Sequence, residues 1–90
     1  MSKFRIGIIG AGWIIQNVYI PILLKLNNVM IVAIYDTNME RAYKVSKEFG
    51  IEHVCRQIDE FYLLGLNAAI IATPNYTHGS YSLEMHRHKI

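Results

Sequence analysis

Apolar residues along this chain gather in two spacings. One is near-continuous: Phe4, Ile6, Ile8 and Ile9, then Met30 to Tyr35, then Leu66 to Ala72. Runs of this kind, rich in β-branched side chains and too short for a stable isolated helix, predict strands covered on both faces. The other spacing is periodic. Met39, Ala42 or Tyr43, Val45 or Ser46, and Phe49 recur every third or fourth place, while Glu40, Arg41, Lys44, Lys47 and Glu48 form a solvated face. This predicts a helix from Met39 to Phe49 with Gly50 as its C-terminal cap.

The remaining segments follow from their breakers. A helix begins near Trp13 and runs through Gln16 to Tyr19, where Pro21 interrupts it by removing a donor and crowding the preceding turn. Pro21 can open a second helical piece through Leu26, with Ile22, Leu23, Leu24 and Leu26 covering a sheet face. Ile51 to Cys55 reads as a short strand. Ile58 to Leu64 reads as a short helix closed by Gly65, with Asp59 and Glu60 at its favourable N-terminal end. Thr73-Pro74-Asn75 ends the last strand, and Tyr76 to His88 reads as a final helix. Strand and helix alternate with short joins, which predicts an open parallel sheet with right-handed crossovers.

The first strand leads into the chain's most informative turn. Gly10 and Gly12 remove two Cβ atoms at the strand-to-helix crossing, which lets the backbone approach a pyrophosphate while the helix's first N–H groups donate to it. The usual dinucleotide-binding fingerprint places a third small residue where this chain has Ile15, so the helix cannot sit tightly on the first strand unless Ile15 faces another layer. Gly7, inside the strand, suggests close packing against the helix that follows and relief of that crowding. The second strand ends in Asp36, 24 residues beyond Gly12, against about 20 for the acidic residue that accepts from the ribose hydroxyls. Asp36 beside Asn38 is also consistent with a simple helix cap.

Ligands of open parallel sheets gather at the carboxyl ends of strands, where Thr73, Pro74 and Asn75 stand. Thr73 or Asn75 can cap the last helix and still lie near a ligand. His78 either faces the cofactor crevice or is a partly exposed helix residue. Trp13 either covers the pyrophosphate or nicotinamide side or packs on another part of the protein.

Composition narrows the classes. A chain of 90 residues makes one domain at most, and at this size only about 60–65% of the extended surface is buried. Its 52% hydrophobic content and positive mean hydropathy fit a sheet covered on both faces or a piece that retains surface for missing neighbours. A net charge of +2, with one basic cluster at His86-Arg87-His88-Lys89 that suits a helix C-terminus, argues against nucleic acid as a partner. No apolar run reaches the roughly 18 residues of a membrane-spanning helix, and the N-terminus passes directly into a strand, so neither membrane nor export is expected. Cys55, the single cysteine, excludes an internal disulfide and suits a reducing, cytoplasmic setting. It reads as a small hydrophobe rather than a nucleophile. No His or Cys spacing matches a metal site.

Taken together, Gly7-Ile8-Ile9-Gly10-Ala11-Gly12, the Pro21 break, Asp36, the Phe49-Gly50 helix end and Ala72-Thr73-Pro74-Asn75 with His78 resemble the N-terminal domain of the glucose–fructose oxidoreductase, inositol dehydrogenase and rhizopine-catabolism (Gfo/Idh/MocA) family. The resemblance covers essentially the whole chain. It implies a Rossmann-type α/β fold, an open parallel sheet with helices on both faces, incomplete here at four strands. It also implies NAD(H) or NADP(H) binding and hydride transfer to or from sugars, cyclitols and related polyols or their carbonyl forms.

Carried over by position, Gly10, Ala11, Gly12, Trp13 and Ile14 approach the pyrophosphate side and Asp36 holds the adenosine ribose. Thr73, Pro74, Asn75 and His78 line the crevice. Asp36 without an adjoining Arg favours NAD over NADP, with Arg41 a poorly placed exception. The family's Glu-Lys-Pro motif and the second domain that completes its site lie beyond residue 90. Residues 1–90 are therefore expected to be a dinucleotide-binding domain truncated before the substrate-binding domain, with no catalytic residue and no activity alone. The missing domain or another copy of the chain would be its partner. The alternative is a non-enzymatic subunit or interaction module that retains the fold.

Overall fold

The apolar runs become the strands of one parallel sheet. The computed structural model describes residues 3–72, and in it β1 (Phe4–Ile9), β2 (Val29–Tyr35), β3 (His53–Cys55) and β4 (Ala68–Ile71) lie in the order β3-β2-β1-β4. Every pairing is parallel. Because β1 sits between β2 and β4, the chain reverses its direction of travel across the sheet after β3. In open α/β sheets that reversal opens a crevice at the carboxyl ends of the strands. Register sets the crevice's contents: Ile9 pairs with Tyr35 on one side and Ile71 on the other. Gly10 N–H donates to Tyr35 O at 2.7 Å and Ala72 N–H to Ile9 O at 2.9 Å.

Adjacent strand residues face opposite sides, so Ile8 and Ile9 seed separate cores. Ile8 packs with Ala11, Ile15, Ile20, Ile34, Val45 and Ile51. Ile9 packs with Val32, Ala33, Cys55, Phe61 and Leu66. Val32 and Ala33 share a side because the β1–β2 register slips between Ile6 and Gly7, as at a β-bulge.

The first core is covered by α2 (Met39–Phe49) and by a helical run over residues 13–24. The ends of α2 fall where the sequence pattern put them. Asn38 is its N-cap, accepting from Arg41 N–H at 3.1 Å, and Gly50 closes it in the left-handed region at φ 70°. The run over 13–24 is less regular. Ile15–Tyr19 is π-helical, with Ile20 N–H donating to Ile15 O, and an α-helical piece, α1 (Ile20–Leu24), continues from it with Pro21 in its first turn. Ile15 is fully buried in the first core. A π turn is wider than an α turn, and the widened turn opens at the bulky residue that replaces the usual small one. Pro21 then falls where its missing N–H costs least.

Two expectations are corrected. Gly7 does not pack against the helix that follows it. A Cβ there would lie 2.7 Å from both Leu66 Cδ1 and Phe61 Cε2, in the core on the other side of the sheet, so Gly7 gives Ile15 no relief. Ile22, Leu24 and Leu26 do not cover the sheet but are exposed; Ile15 and Ile20 supply the buried face instead. The short helix over Ile58–Leu63 is a 3-10 helix, fixed at its start by the reciprocal Gln57–Glu60 capping box. The helix expected over Tyr76 to His88 and the basic cluster in it lie outside the described residues.

The close approach at Gly7 is testable. Phe61 is fully buried, so Gly7→Ala should cost about 1–3 kcal/mol as an overpacked core. Urea denaturation should show a lower midpoint at unchanged slope, and adding Phe61→Leu should recover part of the loss.

Candidate functional site

At the carboxyl end of β1 the backbone turns sharply at Gly10, whose φ of 106° is a conformation that a Cβ strongly disfavours. Ala11 follows, fully buried. Side chains hold both of its backbone groups: its N–H donates to Asp36 Oδ2 at 2.7 Å, and its carbonyl accepts from Gln16 Nε2 at 2.8 Å. Gly12 comes next, and a Cβ built there meets nothing within 4 Å. The protein's own packing therefore does not require a glycine at this position, whereas a ligand resting on the turn would. Trp13 and Ile14 open the helix and are exposed, Trp13 by 72%. First-turn N–H groups have no partner one turn back in their own helix, so they are donors suited to an anion.

Asp36, just past the end of β2, is 5% exposed. A buried carboxylate needs donors around it, and this one has them from three directions. Besides Ala11 N–H, Asn38 N–H donates to Oδ1 at 2.8 Å. The Arg41 guanidinium bridges both oxygens, Nε to Oδ2 at 3.2 Å and Nη2 to Oδ1 and Oδ2 at 3.2 and 3.0 Å. Asp36 is therefore not the helix cap, a role that Asn38 fills. It joins the glycine turn to the start of α2.

Gly10, Ala11, Gly12, Trp13, Ile14 and Asp36 thus share one end of the sheet, as their spacing suggested. Thr73, Pro74, Asn75 and His78 lie outside the described residues, although Ala72 N–H already reaches the Ile9 carbonyl beside Gly10. The spacing argument placed Arg41 poorly, and the geometry corrects it: Arg41 is the ion-pair partner of Asp36. A signal for this was present. A cation in the first turn of a helix opposes the helix dipole and calls for a nearby carboxylate. Beside the pair lies an open hollow of about 670 Å³, with Gln16 on the first helix and Arg41, Tyr43, Lys44 and Lys47 on α2 among its lining, and Glu40 as its acidic member.

Other chemistry is sparse. Among the described residues no group of His, Cys, Asp and Glu could hold a metal ion, and no helix is long and apolar enough to cross a membrane. Cys55, the last residue of β3, is buried. Burial and, secondarily, the Glu60 carboxylate push its thiol up to about 11. It stays protonated near neutral pH and is a poor nucleophile.

Comparison with known proteins agrees with this geometry. A family model described as "Oxidoreductase family, NAD-binding Rossmann fold" matches residues 4–90. A curated relative, glucose-6-phosphate 3-dehydrogenase of Bacillus subtilis (strain 168), is 34% identical over 89 residues, which is 94% of this chain and 24% of that protein. Among solved structures, a dehydrogenase from Chromobacterium violaceum is 27% identical with a TM-score of 0.83, covering 94% of this chain and 25% of that one. An oxidoreductase from Agrobacterium radiobacter, solved with NAD+, L-tartaric acid and magnesium, shares the fold at a TM-score of 0.90 and 23% identity, over 99% of this chain and 26% of its own. The chain spans about a quarter of the length of these relatives.

Two predictions follow from the geometry. Asp36→Ala should destabilise the protein by about 1–3 kcal/mol even without ligand, because it leaves the buried Ala11 N–H unpaired. Asp36→Asn keeps an acceptor oxygen there and should cost less in the same urea titration. For Cys55, folded and unfolded forms are both protonated below the ordinary value of 9.0, and from there to about 11 the unfolded chain releases its proton first. Stability relative to Cys55→Ala should therefore hold below pH 9 and decline as pH rises through that window.

Proposed function

The chain belongs to the Gfo/Idh/MocA oxidoreductase family, a family with an NAD-binding Rossmann fold, and from that premise we propose that residues 1–90 form the cofactor platform of a dehydrogenase acting on sugar, cyclitol or related polyol and carbonyl substrates. The observation that carries the reading is the bond from Ala11 N–H to the Asp36 carboxylate. It brings the glycine turn and the ribose acceptor within one ligand's reach. The residues fit the group: Gly12 leaves open space where a Cβ would otherwise stand, donors open the helix beside it, and a carboxylate ends the neighbouring strand.

In this reading the backbone of Gly10, Ala11 and Gly12 and the helix start at Trp13 and Ile14 hold the diphosphate. Asp36 accepts from the ribose hydroxyls, and Thr73, Pro74, Asn75 and His78 extend the crevice. A bound nicotinamide dinucleotide supplies the hydride carrier, NAD being the form a ribose-accepting carboxylate favours. Hydride transfer also needs the two carbons and a proton-transfer group held together. In this reading the groups that contact substrate belong to the rest of a protein of the relatives' length, about four times that of this chain. The exposed Ile22, Leu24 and Leu26 suit a covering partner, either that further domain or a second copy. A cytoplasmic setting completes the reading, supported by the free Cys55.

Trp13, the only tryptophan, makes the test direct. NADH titration of the protein should quench its fluorescence saturably. Gly12→Val should cost little thermal stability, since a Cβ there meets nothing within 4 Å, yet weaken NADH by about tenfold or more, the equivalent of one lost good contact. No saturable binding in a folded sample, or a Gly12→Val protein that binds as well as the parent, would overturn the assignment.

A further inference from the structure

We propose that Gln16 is a positioning residue: its side-chain amide locks the Ala11–Gly12 peptide with the carbonyl turned inward, which leaves the Gly12 N–H outward as a donor for a diphosphate. The inference rests on the cofactor reading above and deepens it.

Side chains hold both backbone groups of Ala11, and each bond orients one peptide plane. Asp36 takes the Ala11 N–H and so fixes the peptide between Gly10 and Ala11. Gln16 Nε2 donates to the Ala11 carbonyl at 2.8 Å and so fixes the peptide between Ala11 and Gly12. Among the described residues no other donor reaches that oxygen. In a planar trans peptide the C=O and N–H point in opposite directions. With its oxygen turned to Gln16, the plane sends the Gly12 N–H the other way. That N–H has no acceptor among the described residues, and the space that a Cβ at Gly12 would enter is open.

The glycine itself creates the need for a lock. Turning a peptide plane over shifts ψ of the residue before it and φ of the residue after it by about half a turn each, the difference between type I and type II turns. The residue after it must then accept a positive φ, which glycine does readily and other residues do not. Gly12 lies outside the positive-φ region, unlike Gly10. The open space that suits a ligand therefore comes with a second backbone state, in which the Ala11 carbonyl faces outward and repels a diphosphate. Reaching that state breaks the Gln16 bond. Gln16 is well rooted for the task, because its own N–H donates to Gly12 O at 3.2 Å at the start of the helix. The neighbouring amide differs: Asn17 Nδ2 donates to Trp13 O at 2.8 Å, but Trp13 already lies within the helical run, whose winding sets that plane.

The signature is read at the Gly12 amide as well as in affinity. NADH is titrated into the 15N-labelled parent and into Gln16→Met, which keeps the side chain's length and removes the donor. The parent should show one Gly12 amide signal that moves on NADH binding. In Gln16→Met that signal should broaden or double before any ligand is added. Apparent affinity falls in proportion to the fraction of molecules left competent, so loss of one hydrogen bond's bias should weaken NADH by roughly threefold to tenfold. Adding Gly12→Ala to Gln16→Met should return a single amide signal at position 12, since a Cβ disfavours the turned-over state. Parental affinity in Gln16→Met, or weaker binding with an unaltered Gly12 signal, overturns the role of Gln16 and leaves the cofactor platform intact. If Gln16→Met does not fold, the parent alone decides: hydrogen exchange at the Gly12 amide should slow when NADH binds, and exchange unchanged at saturation overturns the inference. A folded parent that binds no NADH overturns the cofactor reading and this inference together.

Discussion

A single buried carboxylate ties the two halves of the site together. Asp36 accepts from the backbone of the glycine turn on one side and from the first turn of α2 on the other, so the ends of β1 and β2 cannot separate without exposing or orphaning it. Taking an ion out of water costs several kcal/mol unless donors replace the lost solvent. Here the strand register supplies them. Pairing of Ile9 with Tyr35 sets Gly10 and Asp36 immediately beyond neighbouring strand ends, and the turn at Gly10 then brings Ala11 N–H to the carboxylate. The site is a consequence of how two strands pair, with the loop chemistry fitted to that pairing.

Much of this was legible because it is local. Near-continuous apolar runs placed β1, β2 and β4, a 3.6-residue period gave α2 its bounds, and the spacing of Gly10, Gly12 and Asp36 follows from one strand, one helix and a second strand laid beside the first. What stayed hidden depends on which layer a side chain meets. Gly7 carries no sign of whether it faces the following helix or the segment that returns much later in the chain; Phe61 and Leu66 decide it. Ile22, Leu24 and Leu26 look like core in any hydropathy pattern, yet the buried stripe of that short helix is taken by Ile15 and Ile20. Arg41 reads as one residue of a solvated helix face, and only the cap at Asn38 turns that face back toward Asp36.

Ile15 shows how a departure from a pattern is absorbed. A bulky side chain at the helix–strand contact could push the helix outward or change its winding. The segment opening at Ile15 is π-helical, and the side chain is fully buried against Ile8 and Ile34. The glycine turn keeps its position on β1, since Gly10 N–H still bonds Tyr35 O. The local helix geometry takes up the difference, close to the surface that a diphosphate would use. π turns recur at functional sites, and here the reason is steric.

In the proposed cofactor reading the same carboxylate would both stabilise the fold and receive a ligand, and the order in which its partners can be given up separates the two tasks. A hydrogen bond to a charged group contributes about 1.5–3 kcal/mol, so losing the buried Ala11 bond would loosen the β1–β2 joint itself. Losing Arg41 costs less, because a half-exposed guanidinium regains water as it leaves. Without ligand the arginine keeps a buried charge compensated; in the proposed cofactor reading it is the partner that would yield to a ribose. Asp36 can therefore serve as an acceptor for ligand without ceasing to hold the turn, because its structural bonds come from the backbone and its exchangeable ones from a side chain.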